Sequence, residues 1–153
     1  MHLVQELNQR LREIPSDQAA AIRVSDGRVK IDLRLSDWNR LGCLLERLTL
    51  EPHCCDQLSF DPAKIVAEIT YLEEGLAIIE TEIESGRAVL RSSPPRINGN
   101  TTSFFEVDLN RRQGLSLRRY NYDRDLGERF PISAPLSNAT LERLISDLSR
   151  LAG

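Results

Sequence analysis

Residue types that bind metals or carry out thiol chemistry lie together in the loop His53-Cys54-Cys55-Asp56. A structural zinc site holds four such ligands, commonly in pairs spaced like Cys-x-x-Cys. The two cysteines here are adjacent and point apart, and the sequence has only one other histidine, His2. A complete site would need Cys43 or carboxylates brought in by the fold. The pattern favours a structural loop, with a thiol or metal enzyme centred on His53, Cys54 and Cys55 as an alternative.

Motifs for catalysis or cofactor binding are few. The sequence contains no Gly-x-Ser-x-Gly elbow, no phosphate-binding glycine loop and no Gly-x-Gly-x-x-Gly pattern. With two histidines in the chain, histidine-based acid–base chemistry has at most one credible site. The closely spaced carboxylates of Glu73-Glu74 and of Glu80, Glu82 and Glu84 are typical of a solvated face. We therefore predict no catalytic residue and no cofactor, and favour a protein that is not an enzyme.

The best candidate binding residues are arginines interleaved with tyrosines. Arg112 precedes the segment Arg118-Arg119-Tyr120-Asn121-Tyr122, and on a strand Arg118, Tyr120 and Tyr122 share one face. A sheet face with arginines and aromatic rings can hold phosphates and stack bases. Aromatic residues make up only 5% of the chain, however, and no ribonucleoprotein-type signature is present. An exposed or ion-paired sheet face is the favoured interpretation, and an anion- or nucleic-acid-binding module is the alternative.

The charge is unevenly distributed along the chain. The net charge is −3, but residues 46–86 hold ten acids against two bases, while residues 87–130 hold nine arginines against five acids. Pairing of acidic and basic strands within one sheet explains this distribution. The more specific alternative is a basic face that binds an anion.

The composition is that of an ordinary soluble protein, 41% hydrophobic and 28% charged. No segment approaches the ~20 apolar residues of a membrane helix, and the N-terminus carries charges every few residues, unlike a signal peptide. The three cysteines are an odd number, which fits reduced thiols better than a disulfide framework. We expect a cytoplasmic protein with no membrane partner.

The sequence near the N-terminus gives clear signals for a helix followed by a β-hairpin. Leu3, Leu7 and Leu11 lie on one face of a predicted helix that Pro15 ends. Two alternating segments then meet at Asp26-Gly27, a strong hairpin signal, because glycine accepts the positive φ of a tight turn. A two-residue loop would place Val24 opposite Val29 and Ile22 opposite Ile31.

Residues 41–51 are ambiguous between a helix and a third strand. A helix face is formed by Leu41, Leu44, Leu45 and Leu48, whereas Leu44, Leu48 and Leu50 fit a strand that leaves Glu46 on the core side. The alternation continues through Leu50, which favours the strand.

The central segment, residues 61–93, organises the rest of the chain. Asp61 and Pro62 are a helix start, and apolar residues then recur at heptad spacing: Ile65, Ile69, Leu72, Leu76, Ile79 and Ile83. One helix could therefore run as far as Ser85-Gly86. The alternative is a helix to about Glu74 and then a hairpin with Ser85-Gly86 as its loop, which would pair Glu84 with Arg87 and Glu80 with Arg91. The broken arrangement is favoured, because Gly75 costs about 1 kcal/mol in a helix interior.

The remaining elements are strands and a final helix. Residues 104–109 and 115–122 alternate as two strands. Pro131 restricts residues 129–133 to an edge segment. Ser137 or Asn138 caps a helix whose apolar face includes Leu141 and Leu148. We predict a single α+β domain over residues 1–153, with an antiparallel sheet in one or two sections packed by N-terminal, middle and C-terminal helices.

This element order is similar to that of bacterial secretion-chaperone-like proteins. Because a well-specified globular domain here lacks any catalytic motif, we expect a small binding, adaptor or chaperone-like protein that recognises another protein. The partner's identity and a homodimer are left open.

Overall fold

The computed structural model describes residues 2–53, 58–82 and 84–152. Within these ranges the chain forms three helices and ten strands that all belong to one antiparallel sheet, which confirms the predicted α+β class. The elements are α1 His2–Glu13, β1 Ala20–Ser25, β2 Val29–Trp38, β3 Gly42–Pro52, α2 Pro62–Glu68, β4 Gly75–Glu82, β5 Arg87–Ser93, β6 Arg96–Asn98, β7 Thr101–Asn110, β8 Gly114–Asp123, β9 Glu128–Ile132, β10 Ala134–Ser137 and α3 Asn138–Leu151. No helix of the described residues is both long and apolar enough to cross a membrane.

The sheet runs in the order β1-β2-β3-β8-β7-β5-β4, and it forks in the middle. β3 and β8 pair only where Leu48–Leu50 lie opposite Leu115–Leu117. Beyond that point β8 pairs with β9 and β3 pairs with β10. The segment from β9 to β10 therefore fills the fork between two strands that separate.

The first hairpin forms as predicted, but its predicted register is wrong by two residues. Val24 pairs with Ile31 and Ile22 with Leu33. The loop is longer because the Asp26 carboxylate accepts hydrogen bonds of 2.9 Å from the backbone N–H groups of both Arg28 and Val29. A shift of two residues keeps every side chain on its predicted face.

Residues 42–52 form the strand β3, as favoured from the sequence, with one difference. Arg47 pairs with Arg34 and Leu45 with Leu35, so Glu46 is an extra residue in the strand. This bulge reverses the alternation. Leu45 is therefore buried with Leu48, whereas Leu44 is exposed and Glu46 is not on the core side.

The central segment is broken, as predicted, into a helix and a hairpin. The Asp61 side chain accepts a 3.0 Å hydrogen bond from the Ala63 N–H, which caps α2, and the helix already ends at Glu68. The predicted pairs of the following hairpin are wrong: Glu82, not Glu84, lies opposite Arg87, and Ala77 lies opposite Arg91. A bulge at Ile79 and a longer turn cause the difference.

One hydrophobic cluster joins the sheet to the helices. Its members include Leu7 of α1, Ile65 of α2, Leu148 of α3 and Val107 of β7. Tyr71, which follows α2, donates a 2.8 Å hydrogen bond from its hydroxyl to Asp147 of α3. The Ser137 hydroxyl accepts a 3.1 Å hydrogen bond from the Thr140 N–H and caps α3, as predicted.

Candidate functional site: an arginine–aromatic face of the sheet

Alternation along four neighbouring strands brings arginines and aromatic rings together on one sheet face. Across β7 and β8, Glu106 lies opposite Arg118, Phe104 opposite Tyr120 and Thr102 opposite Tyr122. The flanking strands add two arginines, because Arg91 of β5 lies opposite Glu106 and Arg129 of β9 lies opposite Tyr122. We call the following set the arginine–aromatic face: Arg91, Phe104, Glu106, Arg118, Tyr120, Tyr122 and Arg129.

Glu106 is the centre of this face. Its Oε1 accepts hydrogen bonds of 2.8 Å from Arg91 Nη2 and from Arg129 Nη1, so one carboxylate oxygen binds two guanidinium groups. The Glu106 side chain is only 10% exposed, whereas those of Arg91 and Arg129 are 38% and 42% exposed. Burial raises the pKa of Glu106, but the hydrogen bonds from Arg129 and Arg91 outweigh burial and hold this pKa below its ordinary value. The carboxylate is therefore charged at neutral pH and fixes both arginines.

The two arginines also cover the aromatic rings. The Arg91 guanidinium lies 4.9 Å from the centroid of the Phe104 ring, and that of Arg129 lies 4.1 Å from the centroid of the Tyr120 ring. The two ring centroids are 6.1 Å apart. Each arginine is thus held twice, by a charged hydrogen bond and by a cation–π contact, which limits the freedom of its side chain.

Arg118 lies where the sheet forks. β8 is paired with β3 up to Leu117 and with β9 from Arg119 onward, so Arg118 is at the change of partner. Its Nη2 is 3.9 Å from Glu46 Oε1 on the bulge of β3, and its buried Nε has no hydrogen-bond partner among the described residues. The Arg118 side chain is 24% exposed, so its contact with Glu46 is a loose, partly exposed pair at the fork.

Arg119 is separated from this group, although the sequence suggested it as an anion-binding residue. It points to the core face and is 5% exposed. Its guanidinium pairs with Glu73 at 3.2 Å and Glu74 at 3.3 Å, and it donates a 3.0 Å hydrogen bond to Ser103. These bonds attach the loop before β4 to the sheet, so Arg119 has a structural role.

Arg112 is also apart from the face. It lies in the turn between β7 and β8, which is held by hydrogen bonds from the Arg112 and Gln113 N–H groups to the Asn110 side chain. Of the predicted set, then, the structure brings together Arg118, Tyr120 and Tyr122, and it places Arg112 and Arg119 elsewhere.

The second predicted site falls mostly outside the described residues. Cys54, Cys55 and Asp56 are not among them. His53 is half-buried, and its backbone N–H donates a 2.9 Å hydrogen bond to the Arg28 carbonyl. Cys43, the third cysteine, is buried, and burial raises the pKa of its thiol to about 11. Within residues 2–53, 58–82 and 84–152, no three His, Cys, Asp or Glu side chains are grouped so that they could hold a metal ion.

Four residues of the face were not among the predicted site residues: Arg91, Phe104, Glu106 and Arg129. Each comes from a strand other than β8, and the partner assigned to Arg91 was Glu80. The alternation of residues 104–109 placed Glu106 on the side opposite Phe105 and Val107. A correct strand order would therefore have put Glu106 beside the arginines.

No protein-family model, curated protein or solved structure matches this chain.

Proposed function

We propose that this chain is a non-catalytic binding protein, of an adaptor or chaperone-like kind, that recognises another protein through the arginine–aromatic face. The observation that carries the proposal is the arrangement around Glu106, which holds Arg91 and Arg129 in place while leaving both partly exposed.

Fixed arginine and aromatic side chains suit protein recognition for an energetic reason. Arginine and tyrosine are enriched among the residues that dominate binding energies. An unrestrained side chain of this size loses about 0.5–1.5 kcal/mol of conformational freedom on binding. Arg91 and Arg129 have already lost much of that freedom in the free protein. Binding through them therefore costs less conformational entropy, and more of the favourable interaction energy contributes to the affinity.

The open position of the face supports the same proposal. We infer that the three helices pack on the opposite face of the sheet, because their buried residues join the cluster formed by Phe105, Val107 and Leu117. The alternate residues of β7 and β8 then point away from the helices. Tyr122, 38% exposed, is the most accessible aromatic side chain of this face.

The chemistry of the face indicates the kind of partner segment. Three arginines stand against Glu106 and Glu46, which leaves one excess positive charge, and Arg91, Arg129 and Tyr122 are all partly exposed. A carboxylate next to an apolar side chain would satisfy both features. We therefore propose an acidic segment of a protein, flanked by apolar residues, as the ligand.

Binding of nucleic acid through this face is the less favoured function. Base stacking needs a free ring face, but the guanidinium groups of Arg91 and Arg129 occupy the positions over Phe104 and Tyr120 where a base would stack. Both arginines are also partly neutralised by Glu106. A nucleic-acid partner remains one outcome of the experiment below.

Affinity capture with paired variants tests the proposal. Tagged wild-type protein, the double variant Arg91→Ala/Arg129→Ala and the control Arg23→Ala are incubated with lysate of the source organism at low and high salt. Arg23 also forms an exposed ion pair, with Asp32 at 2.7 Å, but lies on β1 at the far edge of the sheet. We expect one protein to be retained at high salt by the wild type and the control and lost with the double variant. Equal retention by all three would contradict the proposal, as would recovery of nucleic acid alone.

A further inference from the structure

We infer that the same sheet carries a second binding site, a groove for a phosphorylated small molecule that bears hydroxyl groups. The groove lies at the other end of β8, where the turn between β7 and β8 approaches β3, and its volume is about 780 Å³. Sites for small molecules commonly have volumes of about 300–1,000 Å³. This inference goes beyond the proposed protein recognition and involves none of the residues of the arginine–aromatic face.

The groove arises from short side chains between long ones. Thr49 of β3 lies opposite Ser116 of β8, and these two hydroxyl side chains form the floor. Lys30 of β2 stands on one side, and Arg87 of β5 stands on the other. Long side chains on both sides of short ones create a trough across the sheet.

The cations of the groove favour an anion. Lys30 and the Arg112 guanidinium have no hydrogen-bond or ion-pair partner among the described residues. Arg87 is 3.4 Å from Asp108, in a loose exposed pair. Three cations against the two lining carboxylates, Asp108 and Glu51, leave a charge of +1, and ammonium and guanidinium groups are the usual ligands of phosphate.

The polar floor and the carboxylates indicate that the part of the ligand beyond its phosphate bears hydroxyl groups. Thr49 and Ser116 can donate or accept hydrogen bonds, and Glu51 and Asp108 can accept them from hydroxyl groups. None of the described residues that line the groove is aromatic, so a nucleobase would find no ring to stack on. A sugar phosphate fits this combination better than a nucleotide does.

The turn that closes the groove is held firmly in place. Gly114 has a φ of +103°, and a Cβ added there would clash with the Leu50 carbonyl oxygen. Glycine thus lets the turn pack directly on β3, and the Asn110 side chain accepts hydrogen bonds from the N–H groups that follow it. Arg112 is consequently presented from an ordered turn.

Isothermal titration with glucose 6-phosphate, glucose and inorganic phosphate tests this site. We expect glucose 6-phosphate to bind most tightly and glucose not to bind. Lys30→Ala and Arg112→Ala should each weaken binding about tenfold, the loss of one charged contact. Arg34→Ala is the matched control, because Arg34 lies on the same strand as Lys30 but does not line the groove, and it should bind like the wild type.

Two results would overturn the inference. One is the absence of binding by glucose 6-phosphate up to about 10 mM, beyond the range of a weak specific site. The other is unchanged affinity in both Lys30→Ala and Arg112→Ala, whose folding is checked by circular dichroism. If inorganic phosphate bound as tightly as glucose 6-phosphate, the result would contradict the inference that the groove recognises the hydroxyl groups of its ligand. Because capture of a protein partner depends on Arg91 and Arg129, failure here is distinguishable from failure of the proposed function.

Discussion

Arg129 of β9 donates a 2.8 Å hydrogen bond to Glu106 of β7 although β8 lies between these two strands. The side chain crosses over the Tyr120 ring to reach the carboxylate. A bond of this kind attaches the short strand β9, whose one strand partner among the described residues is β8, to the interior of the sheet. It also places a guanidinium in a fixed position on an exposed surface.

Replacing Glu106 with glutamine should destabilise the protein moderately. The amide keeps the shape of the side chain but removes the charge that both Arg91 and Arg129 bind. Charged hydrogen bonds contribute about 1.5–3 kcal/mol, and the partial exposure of both arginines reduces this, so we expect a loss of about 1–2 kcal/mol in the free energy of unfolding. Urea denaturation at neutral pH measures it. A stability equal to that of the wild type would show that the arrangement contributes little.

The contribution of Glu106 to stability should depend on pH. Because its pKa in the folded protein lies below the ordinary value of 4.5, the carboxylate stabilises the fold above that pH, and this contribution is lost as the pH falls through the folded-state pKa. The difference in unfolding free energy between wild type and Glu106→Gln should therefore shrink between about pH 6 and pH 3. A difference that stays constant over that interval would contradict the assigned direction of the pKa shift.

Two adjacent arginines should respond very differently to mutation. Arg119→Met leaves Glu74 without its cation in a largely buried position, and breaking a buried pair costs about 3–5 kcal/mol. Arg118→Met removes only a 3.9 Å pair with the partly exposed Glu46, for which we expect less than about 1 kcal/mol. Thermal or urea unfolding of both variants makes the comparison. Equal losses of unfolding free energy in the two variants would contradict the placement of Arg119 on the buried face of β8 and of Arg118 on the opposite face.

Gly114→Ala should be strongly destabilising. The added methyl group would meet the Leu50 carbonyl, and the positive φ costs about 1–3 kcal/mol for a residue with a side chain. We expect a total loss of more than about 3 kcal/mol. Gly75→Ala is the control, because nothing lies within 4 Å of its added Cβ and no positive φ is required there. It should leave stability unchanged or raise it slightly, as urea denaturation would show.

The sequence predicted most elements because their signals are local. Asp61-Pro62 specifies where α2 begins, Ser137 caps α3, and the alternation of residues 104–122 gives two strands. The hairpin registers could not be predicted in the same way. The hydrogen bonds of Asp26 lengthen one loop, and the bulge at Ile79 shifts the other, and neither effect follows from alternation alone.

The candidate site was predicted only where it lies on one strand. Arg118, Tyr120 and Tyr122 share a face by alternation, which the sequence shows directly. Glu106 and Arg129 join them through the order of strands in the sheet, which depends on long-range contacts. The same strand order buries Arg119 against Glu73 and Glu74, 45 residues or more away in the chain.

Site-specific photo-crosslinking tests the central claim most directly. A photoreactive phenylalanine analogue replaces Tyr122 on the arginine–aromatic face or, as the control, the exposed Lys64 of α2. The protein is then irradiated in lysate of the source organism. We predict that one protein crosslinks through position 122 but not through position 64, and that the crosslink disappears in the Arg91→Ala/Arg129→Ala background. A crosslink to nucleic acid, the same products from both positions, or a crosslink that persists in the double variant would contradict protein recognition by this face.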